Sequence, residues 1–435
     1  MNGFKMKVAS VAVLGLATTL TLSGCGTSGK SSGANNASES GQENITFSWW
    51  TSPQRTAETK KAIALFEKKY PNIHVTMEYT GWSGYWSKLA TESAGGSEPD
   101  VMQMDASRLA EYITKGQLAD LSSNQTIDTS SIPKNILQLG DMNGKLYAIP
   151  AGVNATTWIY NPAILKQAGI QFDPSKNYTW DDFAKICEEI HQKLPNVYGV
   201  DDEIDQGAVL AYYAQTRGEH MYTPDGKLAI SKQTLTDWFT YWLDLQNKGG
   251  CPPAQVNASY DHSNTQESPF IKGETAFQYM FIGEELEYQQ DLGKPIEHAL
   301  FPDWADSDKP YTVHPAMYWA ISSHTKYPDA AAKLVNFLEN DPQVSKIFLN
   351  ERGVTVNQDN LKADAKVGDA MLKEQDSVMS QVEKVASPSY LDPPAAGQIG
   401  DLLTQIAQQV TFKKLTPSQA ADQFYTQATN MLAQG

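Results

Sequence analysis

Cysteine is almost absent: the 435 residues contain three, Cys25, Cys187 and Cys251. None has a partner at the short spacing of a zinc or redox motif. The seven histidines are scattered, with no HxxxH spacing, so no metal site and no cofactor is expected. The sequence also lacks GxSxG, a Walker A loop and HExxH, which removes the common signatures of acyl and phosphoryl transfer and of zinc hydrolysis. Positive charge is scarce. There are 34 Lys and Arg against 50 Asp and Glu, a formal net charge of −16. A chain this acidic is not expected to bind nucleic acid or an anionic bilayer surface. No internal repeat is visible. The apolar run from Val8 to Leu22 spans 15 residues, short of the roughly 20 that cross a bilayer.

That run has another meaning. Lys5 and Lys7 precede it and Leu22-Ser23-Gly24-Cys25 closes it, the layout of a secretory signal peptide over residues 1–24. The closing tetrapeptide resembles a bacterial lipobox, which implies a diacylglyceryl group on Cys25 and cleavage before it. Gly26 to Glu43 is rich in Gly, Ser, Asn and Ala and reads as a flexible tether. The expected mature protein is extracytoplasmic, anchored through Cys25 to the outer face of the cell membrane. Cys187 and Cys251 then remain, either as one disulfide or as two thiols. Cys187 falls on an apolar helix face, where a small buried hydrophobe fits.

Removing the first 24 residues leaves 411 with a formal charge of −18, which is long enough for two domains. The body opens with strand Asn44–Trp49, a helix from Thr56 to Tyr70 after a turn at Ser52-Pro53, and an alternating strand Ile73–Tyr79. A helix Gly84 to Ser93 and a buried strand Val101–Met104 follow. Strand and helix alternating through short connections predict open, mostly parallel sheets. Further strands are predicted over residues 144–150, 156–160 and 315–322, and helices over 328–340, 341–350, 367–387, 397–412 and 416–434. Thr179 with Asp182 is an acidic capping box. Trp238 and Trp242, spaced i, i+4, are expected to pack the core.

Acid pairs such as Asp181-Asp182, Asp201-Asp202 and Glu284-Glu285 read as caps and solvated faces, because adjacent acids do not establish the converging pair that a glycosidase needs. The strand ends are more informative, since open α/β sheets bind ligands beyond their carboxyl ends. Trp49-Trp50 ends the first strand, Trp82 with Trp86 follows the second, and Asp105 with Ser107 follows the third. Indoles cover the flat C–H face of a sugar, and Asp, Asn, Gln and Arg pair with its hydroxyl rim. At least one ring of the Trp49-Trp50 pair is expected to face a ligand, and one of Trp82 and Trp86 to serve structure only. Arg55 either clamps a ligand carboxylate or pairs with an acid of the protein.

The ordered set Ile45–Trp50, Phe66–Ile73, Ser97–Asp105, Gly144–Pro150, Trp158–Asn161, Thr179–Phe183, Gly273–Phe277, Pro328–Leu338 and Glu351–Asn357 resembles the extracellular solute-binding proteins, family 1, of ABC sugar importers. Within that family the double Trp, Arg55 and Asp392-Pro393-Pro394 most resemble binders of pectin and rhamnogalacturonan fragments. The resemblance implies a two-lobed periplasmic-binding-protein-like α/β fold, each lobe an open mostly parallel sheet flanked by helices. Lobe one would hold 44–152 plus 317–352 and lobe two 153–316 plus 353–435, with a hinge at Ala151-Gly152-Val153 and near Tyr318. It implies a monomer without enzymatic activity that captures an oligosaccharide and delivers it to the transmembrane subunits of an ABC permease. By position the cleft would receive Trp49, Trp50, Arg55, Trp82, Asp105 and Asn154. Met280, Phe281, Tyr390 and Asp392 would enter from lobe two. A secreted glycoside-active enzyme and a sugar-sensing co-receptor are the alternatives.

Overall fold

A computed structural model of the chain describes residues 41–259, 265–294, 296–305, 310–364, 370–387 and 390–434. The signal peptide, Cys25 and most of the tether lie outside the described residues. Two mixed sheets organise the body. The first has five strands in the order β2 (Ile73–Thr80), β1 (Glu43–Trp50), β3 (Val101–Met104), His314–Ile321 and Ala148–Asn154. β1 runs parallel to β2 and β3, and only His314–Ile321 is reversed. The second sheet has four strands in the order Glu297–Ala299, Thr156–Tyr160, Thr275–Phe281 and Tyr198–Val200. Thr156–Tyr160 is its reversed member. Each lobe is thus an open, mostly parallel sheet with flanking helices.

Local chemistry explains the element boundaries. Ser52 caps helix α1 (Pro53–Lys69), accepting the Arg55 N–H at 3.3 Å. Pro53 fits the first helical position because its missing N–H is not needed there. Helix α1 therefore starts three residues earlier than expected, and Arg55 lies in its first turn rather than in a loop. Thr59, Ala62, Ile63 and Phe66 make the buried stripe of α1, the spacing of an amphipathic helix. Helix α2 runs from Trp82 to Ala94, so Trp82 is helical from the outset. Asp105 caps α3 (Ala106–Thr114) by accepting the Ser107 N–H at 2.9 Å. Thr179 and Asp182 form the capping box of the helix Trp180–Lys193.

Each sheet has its own core. Phe47, Trp49, Ile63, Trp319 and Leu334 pack on one side of the first sheet, with helices Pro328–Asn340 and Pro342–Phe348 over them. Trp158, Phe183, Trp238, Trp242 and Phe277 centre the second core, joined by Leu403 and Phe424 of the last two helices. Both tryptophans of the i, i+4 pair are fully buried. Cys187 and Cys251 are buried free thiols.

The chain passes between the lobes at a crowded crossing. Ala155 alone separates a strand of the first sheet from one of the second. Val153 and Val354 exchange backbone hydrogen bonds of 2.8 Å. Gly353 has φ +88°, and a Cβ there would lie 2.6 Å from both the Ala316 Cβ and the Val153 carbonyl oxygen. At Gly152 a Cβ would lie 2.3 Å from the Arg352 oxygen. Glycine is required at both positions by this close approach, and at Gly353 also by the left-handed backbone.

Candidate functional site

A cavity of ≈ 1600 Å³ is lined by residues of both sheets and of the last helices. This exceeds the roughly 300–1,000 Å³ of ordinary small-molecule sites. Its floor is made where parallel strands end, because consecutive strands of one direction deliver their carboxyl ends to the same edge. Trp50 closes β1, Trp82 follows β2, Asp105 follows β3 and Asn154 ends its strand; Phe281 ends a strand of the second sheet. Tyr390 and Asp392 reach the same space from the segment before helix Ala396–Thr411. With Arg55, these eight of the ten expected residues line one cavity.

The other two do not. Trp49 is fully buried in the first core, 4.9 Å from Phe47 and 5.0 Å from Tyr79 between ring centroids. Met280 is fully buried among Ile159, Phe270, Tyr288 and Ile296. The reason is the same for both. Side chains alternate across a strand, so Trp50 and Phe281 reach the cavity while the residue before each points into a core. Placement at a strand end locates the site to within one residue, and the pleat decides which.

The tryptophans make a ledge. Trp50 packs edge-on against Trp82 at 5.1 Å, and Trp82 against Trp86 at 5.4 Å. Trp86 is 7% exposed and structural, whereas Trp82 is 40% exposed and stands at the cavity wall. Trp50, 8% exposed, belongs both to the wall and to the packed cluster with Tyr85 and Met102.

Arg55 is engaged by the protein: its Nε donates to the Glu351 carboxylate at 2.5 Å. A cation in a first helical turn opposes the helix dipole, and this ion pair compensates. Glu351 also accepts from buried Arg352 at 3.1 Å. Arg352 in turn donates to the Thr59 hydroxyl at 2.6 Å, and burial lowers its pKa to about 10. Asn154 Oδ1 accepts the N–H groups of Ala155 and Gly283 at 3.1 Å each. Across the cavity rim, Arg108 of α3 donates to both oxygens of Asp401 at 2.8 Å. A Cβ on Gly397 would lie 2.2 Å from the Arg108 Cδ, so the pair needs glycine beneath it.

The acidic wall departs from the expectation of caps and solvated faces. Asp201, Asp202 and Glu203 are 8%, 3% and 5% exposed and line the cavity; they are neither caps nor a solvated face. They follow the three-residue strand Tyr198–Val200, too short for its pattern to be read, and so occupy another strand end. Burial pushes the Asp201 carboxyl up to about 7 and that of Asp202 up to about 8. Glu203 is raised well above the usual range by burial and then by Asp201. Glu284 is likewise pushed up to about 7 by burial and lines the cavity, while its neighbour Glu285 is fully buried 3.5 Å from His298. Asp392 is raised to about 7 by burial and then by the charge of Asp105. Of the three pairs, Asp181 and Asp182 are exposed as expected, Asp182 as the acid of its capping box, and Glu284 accepts the Phe281 N–H at 3.4 Å at the start of its short helix. Among the described residues no group of three His, Cys, Asp or Glu side chains is arranged to hold a metal. No described helix is long and apolar enough to cross a membrane.

Comparison with known proteins gives this arrangement its context. The arabinooligosaccharide-binding protein of Bacillus subtilis is 24% identical over 343 residues, 77% of this chain and 76% of the relative. A periplasmic oligogalacturonide binding protein from Yersinia enterocolitica, solved with saturated digalacturonic acid, aligns with a TM-score of 0.80 at 27% identity. It covers 90% of this chain and 99% of its own. A periplasmic solute binding protein from Pectobacterium atrosepticum aligns with a TM-score of 0.77 at 25% identity over the same shares. With residues 50–344 matching the family model described as bacterial extracellular solute-binding protein, the chain belongs to that family.

Proposed function

We propose that this protein is the substrate-binding component of an ABC importer and that it captures an oligosaccharide, a fragment of plant cell wall, between its lobes. The observation that carries this reading is the aromatic ledge of Trp50 and Trp82 set beside carboxyl and hydroxyl groups in a cavity of ≈ 1600 Å³. An exposed indole face suits the C–H face of a pyranose or furanose ring, and the polar rim suits its hydroxyls. The lobes move about the crossing at Gly152, Val153 and Gly353, closing on the sugar as hinged binding proteins do. Domain boundaries at 152/153, 316/317 and 352/353 follow from that hinge. The ligand is handed to permease subunits unchanged, and Cys25 carries the lipid that holds the protein at the outer membrane face.

Calorimetry of the purified protein with arabino-, galacto- and galacturono-oligosaccharides tests the reading. A ligand at 100 times its Kd adds about 2.7 kcal/mol to stability, so a thermal shift reports the same event. Absence of binding to every sugar overturns the proposal. Cys25→Ser tests the anchor: the protein should leave the membrane fraction for the medium or the soluble fraction.

One observation favours a second reading. Asp105 and Asp392 meet electrostatically in the cavity, and the raised Asp392 carboxyl is the state a general acid requires. Product analysis after incubation with the bound oligosaccharide separates the two, since turnover would make the protein an enzyme.

A further inference from the structure

The cavity has a lopsided charge. Among the described residues, ten carboxyl groups line it, against two guanidinium groups and two histidines, His220 and His314. Each guanidinium is paired with an acid. Arg55 is held by Glu351 at 2.5 Å and Arg108 by both oxygens of Asp401 at 2.8 Å. Both arginine side chains are 11% exposed, so neither presents an unshielded fork to the cavity. Among the described residues no lysine lines it. The opposite wall is acidic too: Asp201, Asp202 and Glu203 line it.

A carboxylate on a ligand entering this space would meet like charge from several directions. It would need either a proton brought in with it or an arginine pulled from its acid, leaving that acid buried and unpaired. An uncharged sugar imposes neither cost. Its hydroxyls both donate and accept, so they can pair with a lining carboxyl in either protonation state. An amine-bearing sugar would need those same carboxyls ionised, against the burial that holds Asp201, Asp202 and Asp392 near neutrality of charge.

We propose that the cavity selects uncharged oligosaccharides and rejects uronates, because its lining carboxyls outnumber its cations and both arginines are already held by acids. This rests on the oligosaccharide reading above. It separates the protein from the Yersinia structure, whose ligand is digalacturonic acid, despite the shared fold.

The test is calorimetry of the purified protein with arabinotetraose, galactotetraose, tetragalacturonate and a chitosan tetramer at pH 7.5. One of the neutral tetramers should bind at least about 100-fold more tightly than tetragalacturonate, the size expected from two or more like charges within a partly buried site. Asp105→Asn keeps shape and a side-chain oxygen to cap α3 while removing a lining carboxyl, and it should narrow that ratio at least threefold. Raising ionic strength should improve whatever weak tetragalacturonate binding remains, because repulsion is screened; this measurement needs no variant. Tetragalacturonate binding as tightly as the neutral sugars overturns the selection and leaves the oligosaccharide reading standing. Chitosan binding more tightly than both neutral tetramers also overturns it. If no tetramer binds, the oligosaccharide reading itself fails.

Discussion

Trp82→Ala should weaken ligand binding while leaving the protein folded, and the structure sets the size of both effects. The ring is 40% exposed and touches Trp50 and Trp86 edge-on at 5.1 and 5.4 Å. Two such aromatic contacts are worth about 1–3 kcal/mol of folding stability. The exposed part of an indole covered by a sugar ring is on the order of 80–100 Å², or about 2 kcal/mol and roughly 30-fold in Kd. Trp50 differs: being 8% exposed and embedded with Tyr85 and Trp86, its removal should cost about 3–5 kcal/mol of stability as well. Trp49→Phe should lower stability alone, because Trp49 faces the core. The assay is calorimetric Kd paired with urea unfolding of the same samples. A folded Trp82→Ala protein whose Kd is within twofold of the parent's would refute the ledge as a sugar platform.

Other consequences follow from the crossing, the rim and the acid wall. Gly353→Ala should destabilise by about 2–4 kcal/mol in urea unfolding, since it combines a positive φ with a Cβ at 2.6 Å from Ala316 and Val153. Gly397→Ala should displace Arg108 and so mimic its removal; a double-mutant cycle with Asp401→Asn should be strongly non-additive, and simple additivity would show that the pair is not formed. Asp202 has a folded pKa of about 8 against an ordinary 3.8. The folded state therefore holds the proton across that window and the unfolded state does not, so its contribution is complete below about pH 4 and is lost as pH rises to about 8. Asp202→Asn should consequently gain on the parent by at least about 1 kcal/mol at pH 8 relative to pH 5, read from urea midpoints.

The α/β class and the location of the site were legible because they rest on local patterns. Alternation in Ile45–Trp50, the helical stripe of Ala62, Ile63 and Phe66, and the Thr179–Asp182 cap each act over a few residues and need no distant partner. Strand ends then led to Trp50, Trp82, Asp105 and Phe281 because parallel sheets gather those ends on one edge. Other facts depend on what lies across space. Trp49 and Met280 are core residues because of the pleat's phase and the helices covering each face. Asp201 and Asp202 look like solvated acids until a strand of three residues is seen to end in a cavity. Arg55 is held by Glu351, almost 300 positions away in sequence, and Arg108 by Asp401 across the rim. Short-range periodicity is written into neighbouring residues, whereas burial and charge pairing arise only when distant segments meet. The sequence by itself therefore determined the elements and the edge where the cavity forms, and the tertiary structure decided which side chains face it and with what charge.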